Sequence, residues 1–411
     1  MQRLHVAVIM ALILVGILMI AWATGLVLEY YTIHNSGSIL ANAVTASSGS
    51  VTDIQSAVNQ IESLGGGRVY IPAGNWLFDA TPSVMVTIPG GVSVFGAGKF
   101  LTNLTLRAGS TYDSTTMFYV DGANQLPVRV SGITFIGRTG AAAADTGDNG
   151  VFIDNTKDFR VDHCSFHVMG SCGVAVFNSV ISLSCQGVVD HCDFYNIYKP
   201  GAETAGTGFG YGVGVERTYS RSDEAKIWAP SLNGILGTYA NVTYVEDCYF
   251  QGCRHSICAY ATGAYVARFN TFTDMHVYYG SGHCDVHGAY PDGVYGGRYM
   301  EVYNNTFLNP ANDSNYPHMY EYSKALRMRG GGGVFFNNVA VNYAYMVCLS
   351  TDDGNPSITK CKVRDLYMWN NVYDGDYIEE ESGGHVENST YFLYPRPSYT
   401  PYQYPHPLVT G

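Results

Sequence analysis

The sequence predicts an all-β chain, a single-stranded right-handed parallel β-helix with about 30 residues per coil. Three features predict it: a short strand-like motif that returns along the chain, a second strand of clean period-two alternation in most coils, and an amphipathic helix ahead of the first strand. A solenoid has to cover the open end of its core, which gives that helix its place as a cap.

The cap is expected over residues 52–64, where Ile54, Ala57, Val58 and Ile61 mark one helical face before the Gly-rich stop at Gly65 to Gly67. Beyond residue 130 the motif reads VSGITF, VDHCSF, VDHCDF, VEDCYF, ARFNTF, VYNNTF, VFFNNV and MWNNVY, starting at Val130, Val161, Val189, Val245, Ala267, Val302, Val334 and Met368. The 56 residues between Val189 and Val245 read as two coils with one degenerate copy. Alternation sends Val, Cys and Phe into a core, so Cys164, Cys192 and Cys248 stack as an interior ladder. The pairs Asn304-Asn305, Asn337-Asn338 and Asn370-Asn371 suit tight left-handed turns whose amides can ladder. The β-helix is thus expected over 51–385, after a linker at 31–50, with an inserted loop at about 195–240. A Pro- and Tyr-rich tail, 386–411, is expected to lie extended or draped over the last coil.

Two stretches carry a resemblance. TDIQSAVNQIESLGGGRVYIPAGNW, Thr52 to Trp76, resembles the N-terminal cap of pectate-lyase-like β-helix proteins, and GVSVFGAG, Gly91 to Gly98, resembles the first full coil of that superfamily. The resemblance covers about residues 50 to 380 and implies fold far more than chemistry.

Composition narrows the partners. With 22 Lys plus Arg against 34 Asp plus Glu, a formal charge of -12 and no basic run, a phosphate backbone is a poor partner, so no nucleic acid is expected. From Val6 to Leu28 no residue is charged, a length that spans a bilayer core if helical. Residues 1–30 therefore read as a transmembrane signal anchor, with Arg3 on the cytoplasmic side and the body outside; a cleaved signal peptide, which would leave the body secreted, is the alternative. Five Asn-X-Ser/Thr sequons, at Asn103, Asn241, Asn304, Asn312 and Asn388, agree with export to the cell surface. The ten Cys form no CxxC pair, and Cys348 with Cys361 would close a short disulfide loop.

The second strand recurs as GVFID, GVAVF, GVGVE, SICAY, HCDVH, ALRMR and VCLS. Its alternation turns Phe152, Asp154, Phe177, Glu216, Cys258, Tyr260, Asp285, His287, Arg327 and Arg329 outward as a two-column strip, with His283 one alternation earlier. Enzymes of the resembled kind bind acidic polysaccharides along such a face. On that analogy Asp285, His287, Arg327 and Arg329 are the candidate catalytic residues: the carboxylate or imidazole for proton transfer, the guanidinium groups for a sugar carboxylate. Glu216, Tyr260, His255, His283 and Trp228 are the candidate substrate contacts, with Arg254 bordering the same groove. No metal-ligating set is recognisable, since His283 and His287 lie about 13 Å apart by strand rise. A calcium site of the pectate-lyase kind would draw on Glu216, Asp274 and Asp285.

Other similarities are local. Asp162-His163 and Asp190-His191 look like a pectate-lyase DHCSF motif but are two copies of the coil repeat, whose plainer role is a turn or ladder. Arg298 and Glu301 sit in a segment similar to the one that follows those enzymes' catalytic Arg, with a different Arg spacing. Asp352-Asp353 resembles the paired Asp of polygalacturonases without that family's companion motifs. The expected function is a lyase or hydrolase of acidic glycans at the cell surface; the alternative is a non-catalytic adhesin, glycan-binding or assembly protein on the same scaffold.

Overall fold

A computed structural model of the chain describes residues 42–78, 83–107, 115–138, 147–198, 210–217, 221–273, 282–289, 295–310, 323–350, 362–382 and 384–411. The expected membrane anchor, Asp274, Asp352-Asp353 and Cys361 lie outside these. Among the described helices none is long and apolar enough to cross a membrane.

The described strands form three parallel sheets, of twelve, ten and ten strands, each pairing coil to coil in sequence order. A coil runs from sheet 1 through a two-residue corner to sheet 2, then through a longer loop to sheet 3, and back. Lys157–Asp162, Ser165–His167 and Cys172–Asn178 are one such coil. This is the parallel β-helix expected from the repeat, with the right-handed winding that parallel crossover connections take. The recurring motif is the corner between sheets 1 and 2. His163, His191, Asp247, Asn304, Asn337 and Asn370 all adopt left-handed φ values of 51 to 57° there. The next residue points inward. Cys164, Cys192 and Cys248 fill that position in three coils, and from Asn270 onward Asn fills it. Inside sheet 2, Phe135, Phe166, Phe194, Phe250, Phe272 and Phe307 stack at 4.5 to 5.2 Å.

The cap helix spans Val51–Ser63, with Ser50 accepting the Asp53 amide at its N-cap and Ile54, Ala57, Val58 and Ile61 buried. Three expectations change. Ala43–Thr45, inside the expected linker, is the first strand of sheet 1. The 56-residue gap is one coil, not two: Gln186–Asp190 pairs directly with Thr243–Glu246, and the length is taken up by a long insertion that carries the helix Arg221–Trp228. The solenoid also runs past residue 385, because Tyr391–Phe392 adds a twelfth strand to sheet 1.

The tail then turns back along the outside of sheet 1, well beyond the last coil. Arg268 donates to the carbonyls of Tyr402 and Gln403, and Arg160 to those of Leu408 and Val409. Glu246 accepts the His406 amide at 2.8 Å, and Glu301 accepts from the Tyr399 hydroxyl and the Gly237 amide. Tail and insertion thereby bury a second apolar layer that includes Tyr244, Val266, Tyr303 and Phe336. Arg268 and Glu246 are fully buried and paired at 2.7 Å, so removing one strands a charge. We expect Arg268→Met to lower stability by about 3–5 kcal/mol in denaturant unfolding; a loss below about 1 kcal/mol would show that the tail is not held through this pair.

Candidate functional site: an aromatic groove on sheet 3

Register fixes what the outer face of sheet 3 displays. One column runs Tyr119, Phe152, Ala175, Gly214, Cys258, Asp285, Arg327, Cys348 and Glu379. The next runs Asp121, Asp154, Phe177, Glu216 and Tyr260. His287 and Arg329 continue it past the strand ends, their amides donating to the carbonyls of Ala259 and Val286. This is the strip predicted by alternation.

Small side chains in the first column, Ala175, Gly214 and Cys258, leave a hollow between larger neighbours. It is a cavity of about 380 Å³, walled by the rings of Phe152, Phe177, Tyr211 and Tyr260, with Cys172, Gly214 and Cys258 beneath and Glu216, Asn149 and Ser171 at its edges. That volume is in the range of small-ligand sites. A Cβ on Gly214 would sit 3.0 Å from the Cys172 sulfur, so this position holds the floor low. Phe152 stacks on Phe177 at 4.5 Å and Tyr119 lies 5.6 Å from Phe152, which carries the aromatic surface on toward the N-terminal coils. Half-exposed rings in a row give flat apolar faces of the kind that a sugar ring covers.

Beyond Tyr260 the character changes to paired charge. Asp285 is fully buried, and Arg329 grips it with two bonds of 3.1 and 2.6 Å, while the Cys258 thiol donates to it at 3.2 Å. Burial alone would raise the Asp285 carboxyl; the Arg329 guanidinium bonded to it holds it well below the usual carboxylate range. His255 is buried and donates from Nδ1 to the Gly282 carbonyl at 2.7 Å, and burial keeps its ring neutral. His287 packs edge-on to Tyr260 at 5.5 Å. Arg327 meets Glu381 at 2.7 Å, and Lys324 meets both Glu379 and Glu381. Of the candidate residues, Glu216 and Tyr260 line the groove, whereas Asp285, His287, Arg327 and Arg329 form an ion-paired block at its end.

Two candidates lie elsewhere. His283 is fully buried against core rings, not turned onto the strip. Its Nδ1 bonds Ser256 at 2.8 Å among Phe272, Phe307 and Tyr343. Trp228 is 2% exposed, packed beside Arg298, Arg364 and Tyr295, so it is a packing residue and no wall of the groove. Asp162 and Asp190 are clasped by Arg129 and Arg160, and the His163 and His191 rings stack at 5.0 Å, which gives the DHC motif its ladder role. Glu301, buried under the tail, has its carboxyl pushed up to about 7 by burial.

Among the described residues, two groups could offer three ligand atoms to a metal: Asp162, His163 and Asp190, and Cys348, Glu379 and Glu381. Arginine or lysine already neutralises each, and neither includes Glu216 or Asp285. Sequence reasoning turned Phe152 and Phe177 outward without making them site residues; an aromatic side chain on a solvent-facing strand position was the available signal. Tyr211, Lys324, Glu379 and Glu381 were missed because their partners lie in other coils.

No family model and no curated protein matches this chain. Among solved structures it is similar to a mutant tailspike protein of E. coli bacteriophage HK620 in complex with a pentasaccharide, at 15% identity and a TM-score of 0.53, covering 81% of this chain and 55% of the tailspike. It is also similar to the alginate lyase of Paenibacillus sp. str. FPU-7, at 13% identity and a TM-score of 0.52, covering 85% of this chain and 99% of the lyase. The fold these likenesses define is the parallel β-helix, in agreement with the three parallel sheets. The chain spans little more than half of the tailspike's length.

Burial depresses His283 to about 3, against an unfolded value near 6.5. The unfolded chain therefore binds an extra proton between those values, and stability is lost as pH falls through that window. In equilibrium unfolding across pH 3 to 6.5, His283→Phe is expected to remove one proton from the pH slope; an unchanged slope would place the imidazole in contact with water.

Proposed function

We propose that this chain binds a glycan in the aromatic groove of sheet 3 and cleaves it hydrolytically, with Glu216 as the acid-base group. The observation that carries the reading is the cavity itself: four aromatic walls around a small-residue floor with a carboxylate at the edge. Rings stack on sugar faces, and a half-buried carboxylate beside them can move a proton to or from a glycosidic oxygen. Elimination is less well served at the far end of the strip, because Arg327 and Arg329, its outward guanidinium groups, already bind Glu381 and Asp285. One neighbour described above is a tailspike protein in complex with a pentasaccharide and the other is named an alginate lyase, which supports a glycan as the ligand and does not choose between hydrolysis and elimination. On the apolar N-terminal run, the body is proposed to be exported, tethered to the membrane or secreted after cleavage.

A second reading is a glycan-binding scaffold without chemistry. It is favoured by Glu216 being the one carboxylate among the described lining residues, where glycosidases commonly use two. The test is to incubate the full chain with neutral, amino and uronate oligosaccharides, following new reducing ends and the absorbance of unsaturated products. Reducing ends without absorbance are expected, reduced about a hundredfold or more by Glu216→Gln. Absorbing products would overturn hydrolysis in favour of a lyase. Binding abolished by Phe177→Ala, with no product from any sugar, would establish the scaffold reading.

A further inference from the structure

The groove has a charge as well as a shape. Asp154 and Asp121 stand in the same column as Glu216, outside the cavity lining, one and two coils beyond Phe177 along the Tyr119, Phe152 and Phe177 rings. Asp154 accepts hydrogen bonds from the hydroxyls of Tyr119 and Ser179 at 3.1 Å, so these partners are neutral, and Asp121 is exposed. Among the described residues no ion pair involves Asp121 or Asp154. At the other end, Arg327, Arg329 and Lys324 are neutralised within the block formed with Asp285, Glu379 and Glu381. Arg254, over the outer side of the Tyr211 ring, is the nearby cation that runs against this balance. The strip from Tyr119 to Tyr260 is thus an aromatic platform edged by carboxylates.

From this geometry we infer that the groove selects a glycan bearing free amino groups, and that Asp121 and Asp154 supply the selectivity. The inference rests on the groove being a glycan site. An ammonium on a sugar ring over Phe152 and Phe177 meets the negative faces of the rings and a carboxylate on the same side, two attractions that reinforce each other. A uronate in that place meets repulsion from both. An N-acetylated sugar stacks equally well but gains nothing from the charge.

Calorimetric titration of the full chain with a glucosamine pentasaccharide, its fully N-acetylated counterpart and a galacturonate pentasaccharide separates these cases. The amine form is expected to bind about tenfold tighter than the acetylated form at low salt, with the difference shrinking as salt is added, and the uronate is expected to bind weakest. Asp154→Asn should lower the affinity for the amine form several-fold more than the affinity for the acetylated form, erasing most of the amine preference. Asp121→Asn, at an exposed position where folding is not at risk, should erase a smaller part. Equal affinity for amine and acetylated forms, or tightest binding of the uronate, overturns the inference while leaving the groove a glycan site. Binding of none of the three, by a chain that unfolds cooperatively, overturns both.

Discussion

From Gly132 onward, at each corner between sheets 1 and 2 the chain turns through one left-handed residue, and the side chain after it is driven into the core, where the backbone leaves polar groups to satisfy. From Asn270 onward a ladder of amides solves this. Each Asn oxygen accepts from the main-chain and side-chain N–H of the coil before, at 2.9 to 3.1 Å, and its nitrogen donates to a carbonyl of that earlier coil. Asn305, Asn338 and Asn371 repeat the pattern, and the Cys248 amide hands over to it by donating to Asn270. Buried polar groups are costly unless paired, so a slipped coil would break a bond at every rung. The thiols of Cys164, Cys192 and Cys248 fill the same position by weaker contacts, each donating to the carbonyl two residues back at 3.3 Å.

Strand pairing between coils, with Cys164, Cys192 and Cys248 stacked at the corners of the groove's own coils, fixes which side chains share a column on sheet 3. The groove exists because Ala175, Gly214 and Cys258 fall under one another while Phe177 and Tyr260 fall on either side of Glu216. A one-residue slip would replace this face by Val174, Val176, Val213 and Val215, which are core residues. The ion-paired block of Asp285, Arg329, Arg327 and Lys324 closes the far end, and the thiol of Cys258 joins the two parts through its bond to Asp285. Specificity and scaffold are therefore set by the same stacking.

Much of this could be read from residues in order. The corner motif, the cap face of Ile54, Ala57, Val58 and Ile61, and the outward alternation of Phe152, Phe177, Glu216 and Tyr260 are all local patterns, visible within one coil. What escaped is non-local. Arg327 looks like a free cation until Glu381, 54 residues on, comes back beneath it. His283 obeys the alternation on paper, yet its ring is buried among Phe272, Phe307 and Tyr343 with Ser256 on its Nδ1. Nothing in the Pro- and Tyr-rich tail announces that its carbonyls will satisfy Arg160 and Arg268, since main-chain acceptors leave no trace in side-chain identity.

The central claim is that sugar lies on sheet 3 and on no other face. A crystal structure of the full chain with a bound pentasaccharide tests it most directly. The account predicts sugar rings stacked over Phe152 and Phe177 and flanked by Tyr211 and Tyr260, with a glycosidic oxygen within hydrogen-bond reach of Glu216. Sugar ordered against sheet 1 or sheet 2, with the sheet 3 cavity holding only water, would contradict it.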